Sequence, residues 1–301
     1  MGYSLTVTPR LSHYQMTADF LLNFLFLFYV VGTVCSFLVY RELRKQPPPE
    51  LIPRDKGLVR VNDLNRYDIL GMTILVLFFA STYLLPESGQ SIEETKEKMQ
   101  NPLILFILMV TQLFPASMVI FILTIRGVSP TKYFNLEWPK FLHIFWIAPA
   151  TVTFMFSIML IFNQLGYEAW MSDIFGDNAR EQQTVQVYRE TELYLIRAMM
   201  SLMVVIFAPL TEEVIFRGYI YPIAKRYSTK FLATVMTSLF FALVHNNITA
   251  VLPLFILAIL LTIAYEKTGS IWAPISIHAL FNAGAVFAME WEKIMPNGSP
   301  E

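Results

Sequence analysis

Hydrophobic residues occur in long unbroken blocks, not in alternation. Eight blocks stand out, at roughly 18–40, 69–85, 103–125, 141–162, 194–210, 230–247, 248–265 and 271–291. Most approach the ~20 residues that a helix needs to cross the hydrocarbon of a bilayer. Backbone polar groups inside a membrane must be satisfied within the protein, which leaves helices or a closed barrel. Continuous blocks without a period of two exclude the barrel. The pattern predicts an all-α, polytopic transmembrane helix bundle of about eight spans with a buried polar cavity.

Composition agrees with this pattern. The chain is 55% hydrophobic and 15% charged, with 25 Phe among 301 residues. Its net charge of -1 offers no basic surface for nucleic acid. The one cysteine, Cys35, lies in the first apolar block and reads as a free structural thiol, since an intramolecular disulfide needs a second. That first block is read as a retained span, because the residues before it lack a basic start and a small-residue cleavage site.

Loop charges alternate. The connection 41–68 carries seven Lys/Arg, namely Arg41, Arg44, Lys45, Arg54, Lys56, Arg60 and Arg66, and is followed by an acidic connection at 86–102. Arg126, Lys132 and Lys140 come next, then the acidic stretch 163–193, then Lys225, Arg226 and Lys230. The positive-inside rule places the basic connections in the cytoplasm and both termini outside. Gln46-Pro47-Pro48-Pro49 reads as a stiff extended spacer. Asn297-Gly298-Ser299 matches a glycosylation triplet, a weak three-residue pattern.

The chemistry is concentrated in the second half. Thr211-Glu212-Glu213-Val214-Ile215-Phe216-Arg217 places three ionisable groups in apolar sequence. Charge is costly in a membrane, so such a cluster marks paired groups at a functional site. A helix beginning after Pro209, with Thr211 as its N-cap, would set Glu213 and Arg217 on one face. Glu212 is rotated about 100° from Glu213 and stays free for chemistry. The basic turn 225–230 then joins two antiparallel arms. Glu212 and His245 both lie roughly 20 Å along those arms from the turn, hence at similar depth. His278 and Asn282, four apart, share a face of the last span. Asn246 and Asn247 are expected to cap the end of the sixth helix, and His143 reads as a packing residue.

Glu212-Glu213-x-x-x-Arg217, Phe241-x-x-x-His245 and His278-x-x-x-Asn282 resemble the three motifs of the CAAX prenyl protease and bacteriocin-processing family (Abi, type II CAAX endopeptidases). The resemblance covers about 194–291. It divides the chain into four N-terminal spans and their loops at 1–193, a catalytic core at 194–291 and a short tail at 292–301. It implies an intramembrane endopeptidase acting on a membrane-associated or prenylated peptide. Glu212 and His245 would activate water, and His278 and Asn282 would stabilise the oxyanion. Glu213, Arg217 and Phe241 would be supporting residues. No cofactor and no metal are implied. One Glu with two His is a possible zinc set, but no His-Glu-x-x-His is present. A non-catalytic membrane scaffold, or a peptide-immunity protein of the same fold, is the alternative. The partners expected are the bilayer and a peptide or protein substrate, possibly lipidated. The location expected is multi-pass, in a prokaryotic cell membrane or a eukaryotic endoplasmic reticulum, with the site opening toward the cytoplasm.

Overall fold

A computed structural model of the chain describes residues 57–84, 92–175 and 183–294. The first apolar block, Cys35, the triple proline and the Asn297 triplet lie outside the described residues. Among those described, every regular element is helical. Leaving aside the single turns Pro130–Tyr133 and Phe141–His143, they are in chain order α1 (Arg66–Leu84), α2 (Ile92–Met99), α3 (Pro102–Gln112), α4 (Phe114–Ile125) and α5 (Ile144–Gln164). Then come α6 (Tyr167–Phe175), α7 (Gln183–Glu190), α8 (Tyr194–Tyr227), α9 (Lys230–Leu243), α10 (Val251–Thr268) and α11 (Trp272–Ile294). Five apolar stretches are long enough to cross a membrane: Pro102–Ile125, Phe141–Gln164, Tyr194–Tyr227, Val251–Thr268 and Trp272–Lys293. Tyr67–Phe79 and Lys230–Leu243 are shorter apolar helices. The chain is an all-α integral membrane bundle.

Local chemistry sets the boundaries. Asn101 caps α3 by accepting from the N–H groups of Leu103 and Ile104 at 3.0 and 3.4 Å. The third apolar block then breaks at Leu113, because Pro115 has no N–H to give and the chain re-enters helix with proline in its first turn. Thr229 caps α9 through Leu232 N–H at 3.1 Å. Gly269, at φ 68°, ends α10 in the left-handed conformation that costs glycine nothing.

The largest departure from expectation is α8. Residues 194–210 and 211–225 form one helical rod, Tyr194–Tyr227, and not a span followed by a new helix. Thr211 sits inside the rod and caps nothing. Two wide π turns, Met203–Phe207 and Phe216–Ile220, interrupt its α geometry. Each ends two residues before a proline, Pro209 or Pro222. A proline inside a helix removes one donor and crowds the carbonyl four residues back. Widening the preceding turn relieves that crowding without ending the helix. The prolines that read as helix starts therefore shape a helix that continues through them.

The predicted antiparallel hairpin is present, with α8 and α9 joined at Ser228-Thr229. Phe216 packs against Phe240 and Phe241 at ring separations of 5.5 and 5.1 Å. On the other side of the core, α5 meets α11, where Phe156 stacks on Phe281 at 5.4 Å. A Cβ on Gly284 would come within 2.7 Å of the Phe156 ring, so glycine sets that close approach.

At the basic end, residues 57–64 run as a strap across the helix termini. Lys225 donates to Val59 O at 3.3 Å, Arg226 to Val61 O at 2.6 Å, and Leu58 N–H to Glu266 O at 3.1 Å. Beneath the strap, Lys225 and Glu266 form a fully buried ion pair at 2.7 Å, and Tyr221 donates to the same carboxylate oxygen at 2.7 Å. Asp68 is likewise buried, paired with Arg126.

Breaking a buried ion pair strands one charge, which costs about 3–5 kcal/mol, whereas replacing both partners by apolar residues of similar volume is far milder. Lys225→Met alone should therefore destabilise the detergent-solubilised protein by that amount in equilibrium unfolding. The double variant Lys225→Met/Glu266→Leu should recover most of the loss. Equal losses in the two variants would refute a structural role for the pair.

Candidate active site

The α8 segment between the two π turns, Ala208–Ile215, carries both motif glutamates. The two face different environments. Glu213 is fully buried and accepts from Arg217 Nη1 at 2.8 Å, one helical turn on. Its same oxygen, Oε1, also accepts from His278 Nδ1 at 2.8 Å. Arg217, itself buried, donates from Nη2 to Ala258 O of α10 at 3.3 Å. Its guanidinium lies 4.3 Å from the centre of the Phe241 ring on α9, a cation–π contact. The charge of Glu213 is thus met by two donors from two helices.

Glu212 is a quarter exposed. Its Oε2 lies 3.9 Å from His245 Nε2 and 3.9 Å from His278 Nε2. Both separations exceed a direct hydrogen bond and match a pair of polar groups bridged by one small molecule. Each imidazole is oriented by its other nitrogen. His245 Nδ1 donates to Phe241 O at 2.7 Å, and His278 Nδ1 donates to Glu213. A ring whose Nδ1–H is committed in this way presents Nε2 to its opposite side. The Phe241 ring packs against both histidines, with ring centres 4.8 and 5.8 Å away. Its contact with Arg217 gives it a wider role than packing beside His245.

Helix ends place these groups. His245 follows the last turn of α9, and Asn246, at φ 48°, turns the chain away immediately afterwards. Asparagine tolerates this left-handed conformation better than most residues. Asn247 does not cap α9. Its side chain accepts from the N–H groups of Thr249 and Ala250 at 3.0 and 3.1 Å, so it organises the entry to α10. Asn282 lies one turn beyond His278 on α11 and donates from Nδ2 to Val204 O, in the first π turn of α8, at 2.9 Å.

The structure therefore brings Glu212, Glu213, Arg217, Phe241, His245 and His278 into one cluster, with Asn282 on the adjoining turn. Sequence reasoning passed over the carbonyls of Ala258 and Val204, since a backbone group leaves no mark in residue identity. It also misread Pro209, although two prolines thirteen positions apart in a helical stretch are a legible signal. Among the described residues, no set of three or more His, Cys, Asp or Glu side chains stands in a metal-holding arrangement.

Comparison with known proteins points the same way. The family described as Type II CAAX prenyl endopeptidase Rce1-like matches residues 195–284. The membrane-embedded CAAX protease MroQ of Staphylococcus aureus (strain USA300) is 28% identical over 206 residues, covering 65% of this chain and 75% of that protein. No solved structure matches the chain.

The environments predict unequal stability effects for adjacent glutamates. Glu213→Ala strands Arg217 and should cost about 3–5 kcal/mol. Glu212→Ala, at a part-exposed position with no close ion pair, should cost less than about 1 kcal/mol. Thermal unfolding in detergent reads both, and similar losses at the two positions would contradict the division.

Proposed function

With its membership of the CAAX prenyl protease and bacteriocin-processing family as the premise, we propose that this chain is an intramembrane endopeptidase. Glu212 and His245 would activate a water against a peptide bond of a membrane-associated substrate. The observation that carries the reading is Glu212 Oε2 standing 3.9 Å from both His245 Nε2 and His278 Nε2, with each imidazole oriented by its other nitrogen.

In the proposed reaction, a water between Glu212 and His245 gives a proton to the Glu212 carboxylate as its oxygen attacks the scissile carbonyl carbon. The carbonyl π electrons move onto oxygen. That oxyanion accepts from an Asn282 amide proton and from the Nε2–H that His278 carries as a doubly protonated imidazolium, its Nδ1–H staying on the Glu213 carboxylate, donors that act strongly in a dry, preorganised site. Collapse re-forms the carbonyl and breaks the C–N bond. Glu212 returns its proton to the departing nitrogen, leaving a new carboxyl terminus and a free amine. Glu213 touches no reacting atom and acts as a positioning residue, holding the Nδ1–H of His278. The substrate is a peptide held at the membrane; a prenylated tail is one such peptide.

Loop charges favour a cytoplasmic basic end. Burial favours entry from the opposite end, against the cytoplasmic opening expected from the sequence. From Ile215 to Ile223 every residue of α8 is buried in the bundle, whereas Val204–Phe207, His245 and Asn246 are partly or fully exposed. A carboxylate and an imidazole cannot face acyl chains at low cost, so an opening beside them must be polar.

Removing a general base costs ~10²–10⁴-fold. Glu212→Ala and His245→Ala should each lower cleavage of a membrane-peptide library by at least ~10²-fold while the protein stays folded. A chelator should leave wild-type cleavage intact. Undiminished biological activity of Glu212→Ala would sink the protease reading and favour a scaffold of the same fold.

A further inference from the structure

We infer that Pro209 is a positioning residue, which fixes Asn282 by stripping one α8 carbonyl of both its possible helical donors. In an α-helix, Val204 O would accept from the N–H of residue 208. Here the Ala208 N–H reaches back five residues to Met203 O, bypassing Val204. In the wider π register, Val204 O would accept from residue 209. Residue 209 is proline and has no N–H. Val204 O is left with no donor from its own helix, in a bundle where an unpaired carbonyl is costly. The Asn282 carboxamide supplies the missing donor at 2.9 Å.

This contact fixes more than the carbonyl. The carboxamide has two N–H donors and one acceptor oxygen. Committing one N–H to Val204 sets the plane and the rotation of the group, so its second N–H is held in one direction. His278, one turn earlier on α11, is held in the same way by Glu213. Both groups assigned to the oxyanion are thus anchored to α8, His278 through a side chain and Asn282 through a backbone oxygen freed by proline. The second π turn repeats the construction. Tyr221 N–H reaches back to Phe216 O, and Pro222 occupies the next donor position. It lies away from Asn282 and provides a matched control.

Pro209→Ala restores an N–H at 209. Val204 O then has a helical donor in either register, from residue 208 if the turn relaxes to α or from residue 209 if it stays wide. The contact with Asn282 becomes dispensable. The test is a double-mutant cycle of Pro209→Ala with Asn282→Ala, which cancels any cavity left by either truncation. Its thermal arm does not depend on the protease reading. Asn282→Ala should lower the unfolding midpoint by roughly 3–6 °C in wild type, where it orphans Val204 O. It should lower it by less than about 1 °C in the Pro209→Ala background. Its kinetic arm rests on that reading. Pro209→Ala should reduce kcat roughly 10- to 100-fold with KM within about twofold, and should add less than about twofold on top of Asn282→Ala. Pro222→Ala should show no coupling to Asn282 in either arm. If wild type cleaves no peptide, the protease reading fails and the thermal arm alone decides the inference. An equal Asn282→Ala penalty in both backgrounds overturns it. So does failure of both Pro209→Ala and Pro209→Ser to fold, because the inference assigns Pro209 the governance of one hydrogen bond and no more.

Discussion

The carboxylate of Glu213 is the point at which the C-terminal half of the bundle is held together. A charge buried in an apolar bundle is tolerated only where opposite charge and hydrogen bonds meet it. Here they come from Arg217 on its own helix and from His278 on α11. Arg217 must in turn be satisfied, and its remaining contacts are the Ala258 carbonyl of α10 and the Phe241 ring of α9. One buried negative charge thereby fixes the relative rotation of four helices. Glu212, next in sequence but rotated about 100° around the helix, is left facing both imidazoles with no strong pairing of its own. The site follows from which glutamate the fold consumes.

A second constraint comes from backbone chemistry. Two prolines inside α8 each sit after a wide turn, and the helix carries both glutamates between those turns. Proline imposes the same rule at both places: one donor is missing and one carbonyl is freed. At the first, the freed carbonyl meets Asn282. Helix distortion and side-chain placement are thus one effect, seen from two helices.

Much of this could be read from residue order. The pairing of Glu213 with Arg217 follows from a four-residue spacing, and the common depth of Glu212 and His245 follows from counting residues on either side of the 225–230 turn. The helical class was legible because continuous apolar blocks permit little else in a bilayer. What could not be read was carried by the backbone or by context. Pro209 and Thr211 together look like a helix start. Only tertiary packing around a rod that continues through them distinguishes a start from a π turn. Asn247 shows the same ambiguity, since an asparagine between two helices can serve either one, and here it serves the second. The burial of Lys225 could not be foreseen either. A lysine beside a basic turn reads as solvated until Glu266, forty-one residues later, is seen beneath the strap with it.

In the proposed reaction Glu212 acts on water and never on the peptide itself. Single-turnover cleavage in ¹⁸O-labelled water, followed by mass analysis of both product and enzyme, tests it most directly. One ¹⁸O atom is expected in the new carboxyl terminus of the peptide and none in the Glu212 side chain. Label in Glu212 would mean that its carboxylate attacks the carbonyl and is released by water, and would rule out its role as general base.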